Sequence, residues 1–141
     1  MKSEEARLRR ITAELLHLLG AKNAFAQVFL LSDRAMRDLG KRVGILPRLK
    51  RTKMGKELRA EEHLNVLSFP DEIKFPDLNG RKSLGEVYIN YDWAEKKNEV
   101  LTYLLIHGVL HLLGYEHQKK RDTIKMEKLE KRLWRHVLSS V

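Results

Sequence analysis

The chain has 141 residues, 43% hydrophobic and 33% charged, a composition that excludes a fibrous or disordered protein and predicts one soluble globular domain over residues 1–141. It contains no cysteine, which excludes disulfides, thiolate metal ligands and cysteine nucleophiles and leaves His, Asp or Glu to hold any metal ion. The formal net charge of +9 indicates a polyanionic partner, either nucleic acid or an anionic membrane surface.

The first third of the chain predicts a helix, a strand and a second helix. Ser3 is placed to cap the first helix, which carries apolar residues at helical spacing until Gly20 offers a stop. The short apolar run Ala24–Ser32 predicts a buried strand. Ser32 or Asp33 is then expected to cap the second helix.

A basic segment follows, from Lys41 to Arg59. Eight basic residues against a single glutamate give it a charge of +7, which is most of the excess charge of the chain. The segment shows little periodicity, so we expect a loop with some helical turns. Its charge density is suited to holding a nucleic-acid backbone without reading its sequence.

The second half of the chain predicts two strands followed by two helices. Leu64–Pro70 and Leu84–Asn90 have the composition of strands, with a turn-rich loop between them. Asp92–Leu113 is helical in pattern and apolar on most faces, as expected of a buried central helix, and Asp122–Leu138 is an amphipathic last helix. The order α-β-α-β-β-α-α predicts an α+β fold in which helices cover a small mixed β-sheet.

No stretch of the sequence is suited to targeting or crossing a membrane. The N-terminal residues are too charged for the apolar part of a signal peptide. The most apolar window, Val100–Leu113, is interrupted by histidines and falls short of a membrane span. We therefore expect a cytoplasmic protein with no membrane partner.

Three histidines lie in the stretch HGVLHLLGYEH, at the end of the predicted central helix. His107 and His111 are four residues apart, so their imidazoles project from one helix face and can reach one ion. Gly114 permits a left-handed turn that brings His117 toward the same ion. Three imidazoles predict a catalytic metal site with zinc as the default occupant, although nickel, copper and iron also bind imidazole. The alternative is a set of ordinary core or surface histidines.

The same histidine spacing, with the same glycine, occurs in the metzincin protease signature. That signature has a glutamate directly after the first histidine, and this glutamate is the acid/base of peptide cleavage. Gly108 occupies the position here, so we expect no peptidase activity. Phosphodiester cleavage suits the site better, because a metal held by imidazoles can bind a phosphate oxygen without a glutamate.

Three segments, NVLSFP, LGEVYIN and LLIHGVLHLLGYEH, resemble in order and spacing the signature segments of the YbeY family, bacterial rRNA maturation factors described as metal-dependent, single-strand-specific endoribonucleases. The resemblance covers the chain from about Arg59 to His117. It implies a compact α+β domain with the metal site at the end of a central helix, opening into a cleft.

The resemblance also implies roles for individual residues. His107, His111 and His117 match the metal-binding histidines of the family, and Arg59 falls near its functional arginine. In that role Arg59 would stabilise the negative charge that develops at phosphorus; the alternative is one more solvated surface cation. Glu116, beside His117, could orient a ligand imidazole, accept a proton or face solvent.

The partners expected from these assignments are one zinc ion per chain, with nickel or another divalent transition metal as alternatives, and single-stranded RNA from an rRNA precursor. We further expect association with the small ribosomal subunit and a monomeric state. The alternative functions are a non-enzymatic ribosome-associated RNA-binding factor with a structural metal, and a metal-dependent hydrolase of another substrate.

Tyr88, Tyr91 and Trp93 are candidates either for stacking on bases or for the core.

Overall fold

The structure is a computed structural model, which describes residues 1–21, 23–44, 65–71, 80–115 and 120–139. Within this part of the chain the elements follow the predicted order. They are α1 (Lys2–Leu18), β1 (Ala24–Leu31), α2 (Asp33–Arg42), β2 (Val66–Pro70), β3 (Lys82–Asn90), α3 (Asn98–Leu112) and α4 (Lys120–Ser139).

The three strands form one mixed sheet in the order β1-β3-β2. The central strand β3 runs parallel to β1, with Val87 opposite Val28. It runs antiparallel to β2, with Tyr88 opposite Leu67. Helices pack against this sheet, so the predicted α+β fold with a small mixed sheet is confirmed.

The main hydrophobic core lies between the sheet and helices α1, α3 and α4. Val87 and Ile89 of β3 point into it, together with Val28 of β1. Helix α3 contacts the sheet, α1 and α4 at once, and for this reason it is apolar on nearly every face. Despite this apolar character, no helix in the described part of the chain is long enough and apolar enough to span a membrane.

A second, smaller cluster lies on the opposite face of the sheet, where Met36 of α2 packs against Leu67. Tyr88 packs against this cluster. Its ring meets the edge of Phe69 with centroids 5.7 Å apart and stacks on Phe29 at 5.1 Å. Tyr88 therefore has a packing role in the structure.

The other two aromatic candidates for base stacking differ in their exposure. Tyr91 is buried in the main core, with 7% of its surface exposed. Trp93 keeps 43% of its surface exposed. Of the three aromatic candidates, Trp93 is thus the one that retains a large accessible surface.

Of the two serines predicted to cap helices, Ser32 does so and Ser3 does not. Ser32 is the N-cap of α2, and its side chain accepts a hydrogen bond from the backbone N–H of Ala35 at 3.2 Å. The prediction for Ser3 was wrong, because α1 begins at Lys2 with Met1 as its N-cap and no side-chain cap. Ser3 lies inside the first turn and donates its hydroxyl hydrogen to Glu4.

Helix α3 begins at Asn98 rather than near Asp92. Glu95 and Lys96 have φ values of 53° and 61°, in the left-handed region that a right-handed helix cannot contain. The preceding turn is held by Asn90, whose side-chain oxygen accepts from the backbone N–H of Trp93 at 2.8 Å. The last helix begins at Lys120, two residues before the predicted start.

Candidate metal centre

The imidazoles of His107 and His111 converge at the C-terminal end of α3. Their Nε2 atoms lie 2.9 Å apart, and the two ring planes cross at 73°. Both side chains are half-buried. The i, i+4 spacing therefore places two nitrogen donors side by side, as the sequence indicates.

The separation of these nitrogens suits a shared ion. Zn–N bonds of about 2.0–2.1 Å in a tetrahedral site put two nitrogens roughly 3.3 Å apart. The distance of 2.9 Å between His107 and His111 lies within a few tenths of an ångström of that value. The two imidazole nitrogens therefore fit a divalent transition metal, because such ions accept imidazole as a ligand.

The chain leaves α3 through the left-handed glycine turn that the sequence predicts. Gly114 has a φ of 96°. Its N–H donates to the carbonyl of His111, and the N–H of Tyr115 donates to the carbonyl of Leu110, both at 3.0 Å. This is the Schellman arrangement of a helix C-terminus. It ends α3 at Leu112, directly after the second histidine.

Several predicted site residues lie outside the described residues. They are His117, the third proposed ligand, Arg59, the proposed catalytic residue, and Glu116. Within the described ranges no three His, Asp or Glu side chains are grouped to hold a metal ion. The roles of His117 and Arg59 therefore stay predictions.

A buried carboxylate that the sequence analysis missed contacts the histidine pair. Oε1 of Glu130, on α4, lies 3.5 Å from Nδ1 of His107, and only 5% of the Glu130 surface is exposed. A signal for it was present in the sequence, because Glu130 falls on the inner stripe of α4 between Met126 and Leu133, which are both buried. A charged residue in an apolar stripe requires a polar partner.

Tyr103 is a second partner of Glu130. It lies one turn before His107 on α3, and its hydroxyl interacts electrostatically with the Glu130 carboxylate. Partial burial raises the pKa of the Tyr103 phenol, and the negative charge of Glu130 raises it further. The Tyr103 ring also meets the edge of Trp134, with centroids 6.1 Å apart.

Gly108 faces the sheet, at a point where α3 and β3 approach closely. A Cβ atom placed on Gly108 would lie 2.6 Å from Cγ1 of Val87, 3.1 Å from Oγ of Ser68 and 3.3 Å from Cγ2 of Val66. Ser68 also donates its hydroxyl hydrogen to the Gly108 carbonyl at 3.0 Å. There is consequently no room for a glutamate at the position where a metzincin protease keeps its acid/base.

A basic surface cleft lies along α4. It has a volume of about 400 Å³ and is lined by Tyr115, Lys125, Lys128, Leu129 and Arg132. The three cations are exposed and follow one another at spacings of three and four residues, on one face of the helix. Most of the basic segment predicted from Lys41 to Arg59 lies outside the described residues.

A mixed sheet crossed by a central helix that ends in two convergent imidazoles defines an α+β protein with a candidate histidine metal centre. The family model described as Endoribonuclease YbeY matches residues 49–137 of the chain. This range contains the three histidines and Arg59. The chain belongs to the YbeY endoribonuclease family, which confirms the resemblance noted in the sequence.

Individual relatives agree with the family match. A protein of Aquifex aeolicus is 32% identical over 138 residues, covering 92% of this chain and 79% of its own length. One of Pelagibacter ubique is 30% identical over 135 residues, covering 85% and 86%. A Wolbachia protein is 38% identical over 77 residues, and that match spans about half (49%) of each chain. Each carries the name Endoribonuclease YbeY.

Proposed function

We propose that the protein is a metal-dependent endoribonuclease that cleaves single-stranded RNA during rRNA maturation. Family membership supports the reaction class. The single observation that carries the metal dependence is the convergence of His107 and His111, whose Nε2 atoms lie 2.9 Å apart. The packed position of Gly108 argues against the peptidase alternative, because no acid/base side chain fits there.

The proposed metal ligands are His107, His111 and His117. Zinc is the default ion for three neutral imidazoles, with nickel or another divalent transition metal as alternatives. When bound, the ion supplies Lewis-acid chemistry toward a phosphate oxygen of the RNA backbone. The protein contributes a helix end that holds two of the ligands in fixed relative positions, since both lie on one face of α3.

Arg59 is the proposed catalytic side chain. Negative charge increases on the phosphoryl oxygens as a phosphodiester bond is cleaved, and a guanidinium can donate two hydrogen bonds to them. Its position in the sequence, at the end of a segment with a charge of +7, supports this assignment.

The proposed RNA contacts combine this basic segment with the cleft along α4. Lys125, Lys128 and Arg132 would bind successive phosphates, and Tyr115, with 38% of its surface exposed, would stack on a base. We propose that the protein acts as a monomer, in the cytoplasm, on rRNA precursors associated with the small ribosomal subunit.

The proposal is tested by incubating the purified full chain with single-stranded RNA, with and without a chelator. We expect cleavage that the chelator abolishes and that zinc restores. His111→Ala is expected to abolish cleavage, whereas the control His17→Ala, at an exposed position of α1, is expected to leave it unchanged. Equal cleavage with and without chelator would exclude the metal-dependent reaction.

A second experiment separates catalysis from binding alone. Arg59→Ala is assayed for RNA cleavage and, in parallel, for RNA affinity. Loss of turnover with retained affinity supports a catalytic role for Arg59. Parallel loss of both would assign Arg59 to RNA binding, whereas RNA binding without any cleavage by the unaltered protein would favour the alternative of a non-enzymatic RNA-binding factor. Absence of salt-dependent RNA binding in the unaltered protein would favour a hydrolase of another substrate.

A further inference from the structure

We infer that Glu130 is a positioning residue for the metal centre, which holds the His107 ring through Nδ1 so that Nε2 faces the ion. The inference rests on the proposed metal site and goes beyond it. It assigns a role to a residue of α4 that lies 13 or more positions from the histidine motif.

The first support is the burial of the carboxylate. Glu130 has 5% of its surface exposed, whereas Glu127, one turn earlier on the same helix, is exposed. A buried carboxylate is retained at the interface of two helices only where polar partners compensate for its lost hydration. Two such partners of Glu130 are His107 and Tyr103, both on α3.

The second support is that the two ring nitrogens of His107 face different groups. Nδ1 lies 3.5 Å from Oε1 of Glu130, and Nε2 lies 2.9 Å from Nε2 of His111. A proton on Nδ1, directed at the carboxylate, leaves the lone pair on Nε2, which is the form that binds a metal. A carboxylate in this place also increases the basicity of the ligand nitrogen.

The third support is that the carboxylate itself is held in place. The Tyr103 hydroxyl interacts electrostatically with Glu130, and Trp134, one turn after Glu130 on α4, packs edge-on against the Tyr103 ring. Tyr103, His107 and Glu130 therefore form a connected polar row across the contact between α3 and α4. Docking of the last helix thus sets the orientation of a ligand on the central helix.

The test compares zinc affinity among variants of the full chain. Glu130→Gln keeps the volume and a hydrogen-bond acceptor but removes the charge, and Glu130→Leu removes both. Zinc affinity is measured by competition with a chromophoric chelator. We expect affinity to fall about ten-fold for Gln and up to about one hundred-fold for Leu. The matched control Glu127→Gln, exposed on the same helix, is expected to bind zinc as the unaltered protein does.

Thermal unfolding of the metal-free variants separates positioning from a purely structural role. We expect Glu130→Gln to unfold at the same temperature as the unaltered protein when no metal is present, and to gain less stability on addition of zinc. Unaltered zinc affinity in both Glu130 variants would overturn the inference, whatever their unfolding temperatures. If the unaltered protein itself bound no divalent ion, the proposed metal centre would be excluded together with this inference.

Discussion

Gly108 of α3 and Val87 of β3 approach so closely that a Cβ atom on the glycine would lie 2.6 Å from Cγ1 of the valine. Val87 is fully buried and β-branched, so its side chain cannot readily change rotamer to make room. The close approach allows the central helix to lie against the sheet, and it makes any larger side chain at the position after the first histidine unfavourable.

Gly108→Ala is therefore expected to destabilise the protein. Alanine gains about 1 kcal/mol over glycine in a helix interior, but the clash with Val87 outweighs this gain. We expect a net loss of roughly 1–2 kcal/mol in the free energy of unfolding, measured by urea denaturation. Combining it with Val87→Ala should cost less than the sum of the two single changes. Strict additivity would show that Val87 is not the obstacle.

Ser32 caps α2, whereas Ser3 lies within the first turn of α1. Replacing them with alanine should therefore change the stability of the protein by different amounts. Ser32→Ala removes the side-chain oxygen that caps α2 and is expected to cost about 1 kcal/mol. Ser3→Ala changes an exposed serine within the first turn of α1 and is expected to stay within about 0.5 kcal/mol of the unaltered protein. Thermal or urea unfolding measures both. A larger effect at Ser3 than at Ser32 would contradict the assigned caps.

The contact between Glu4 and Tyr91 predicts a pH dependence. The Tyr91 hydroxyl, and then the Ser3 hydroxyl, donate hydrogen bonds that lower the pKa of the Glu4 carboxyl from 4.5 to about 2. The folded state thus favours the carboxylate more than the unfolded state does. This contribution to stability is complete above about pH 4.5 and is lost as the pH falls toward 2.

Tyr91→Phe should weaken this dependence, because it removes the principal donor to Glu4. Unfolding free energies measured by urea denaturation between pH 2 and pH 5 are expected to fall less steeply in the variant. In a Glu4→Gln variant, which lacks the titrating carboxyl, adding Tyr91→Phe should cause no further flattening. An unchanged slope in Tyr91→Phe would show that Tyr91 does not stabilise the carboxylate.

The basic cleft predicts a salt-dependent contribution to RNA binding. Lys128→Ala and Arg132→Ala should each bind single-stranded RNA more weakly and reduce the slope of log K against log salt by about 0.7 for each phosphate that is no longer neutralised. Arg9→Ala, which removes an exposed residue paired with Glu5 on α1, is the matched control with an unchanged slope. Equal slopes in all four proteins would exclude the cleft as an RNA-binding surface.

Metal binding itself is expected to stabilise the fold. A ligand at one hundred times its dissociation constant adds about 2.7 kcal/mol when it binds the folded state alone. Zinc should therefore raise the unfolding temperature of the unaltered protein, and a chelator should reverse the increase. His107→Ala should remove the response, while the exposed His17→Ala keeps it. A zinc response retained in His107→Ala would place the metal elsewhere.

Several features of the protein could be predicted from local sequence. Residue periodicity depends only on neighbouring residues in the sequence. It therefore predicted the order of helices and strands, the α+β class and the buried central helix. The spacing of His107 and His111 fixed their common face for the same reason, and the glycine at 114 marked the helix end. The start of α3 could not be predicted, because Glu95 and Lys96 adopt left-handed φ values that the helical pattern of the sequence does not indicate.

Other features depend on contacts between residues far apart in sequence, and only the tertiary structure decided them. The sequence identified Gly108 as the position of an absent base, but the sheet packed against it explains why no base fits. The choice of Glu130 as the partner of His107 depends on how α4 docks against α3. Such contacts arise from the packing of whole elements, which local periodicity and residue spacing do not specify.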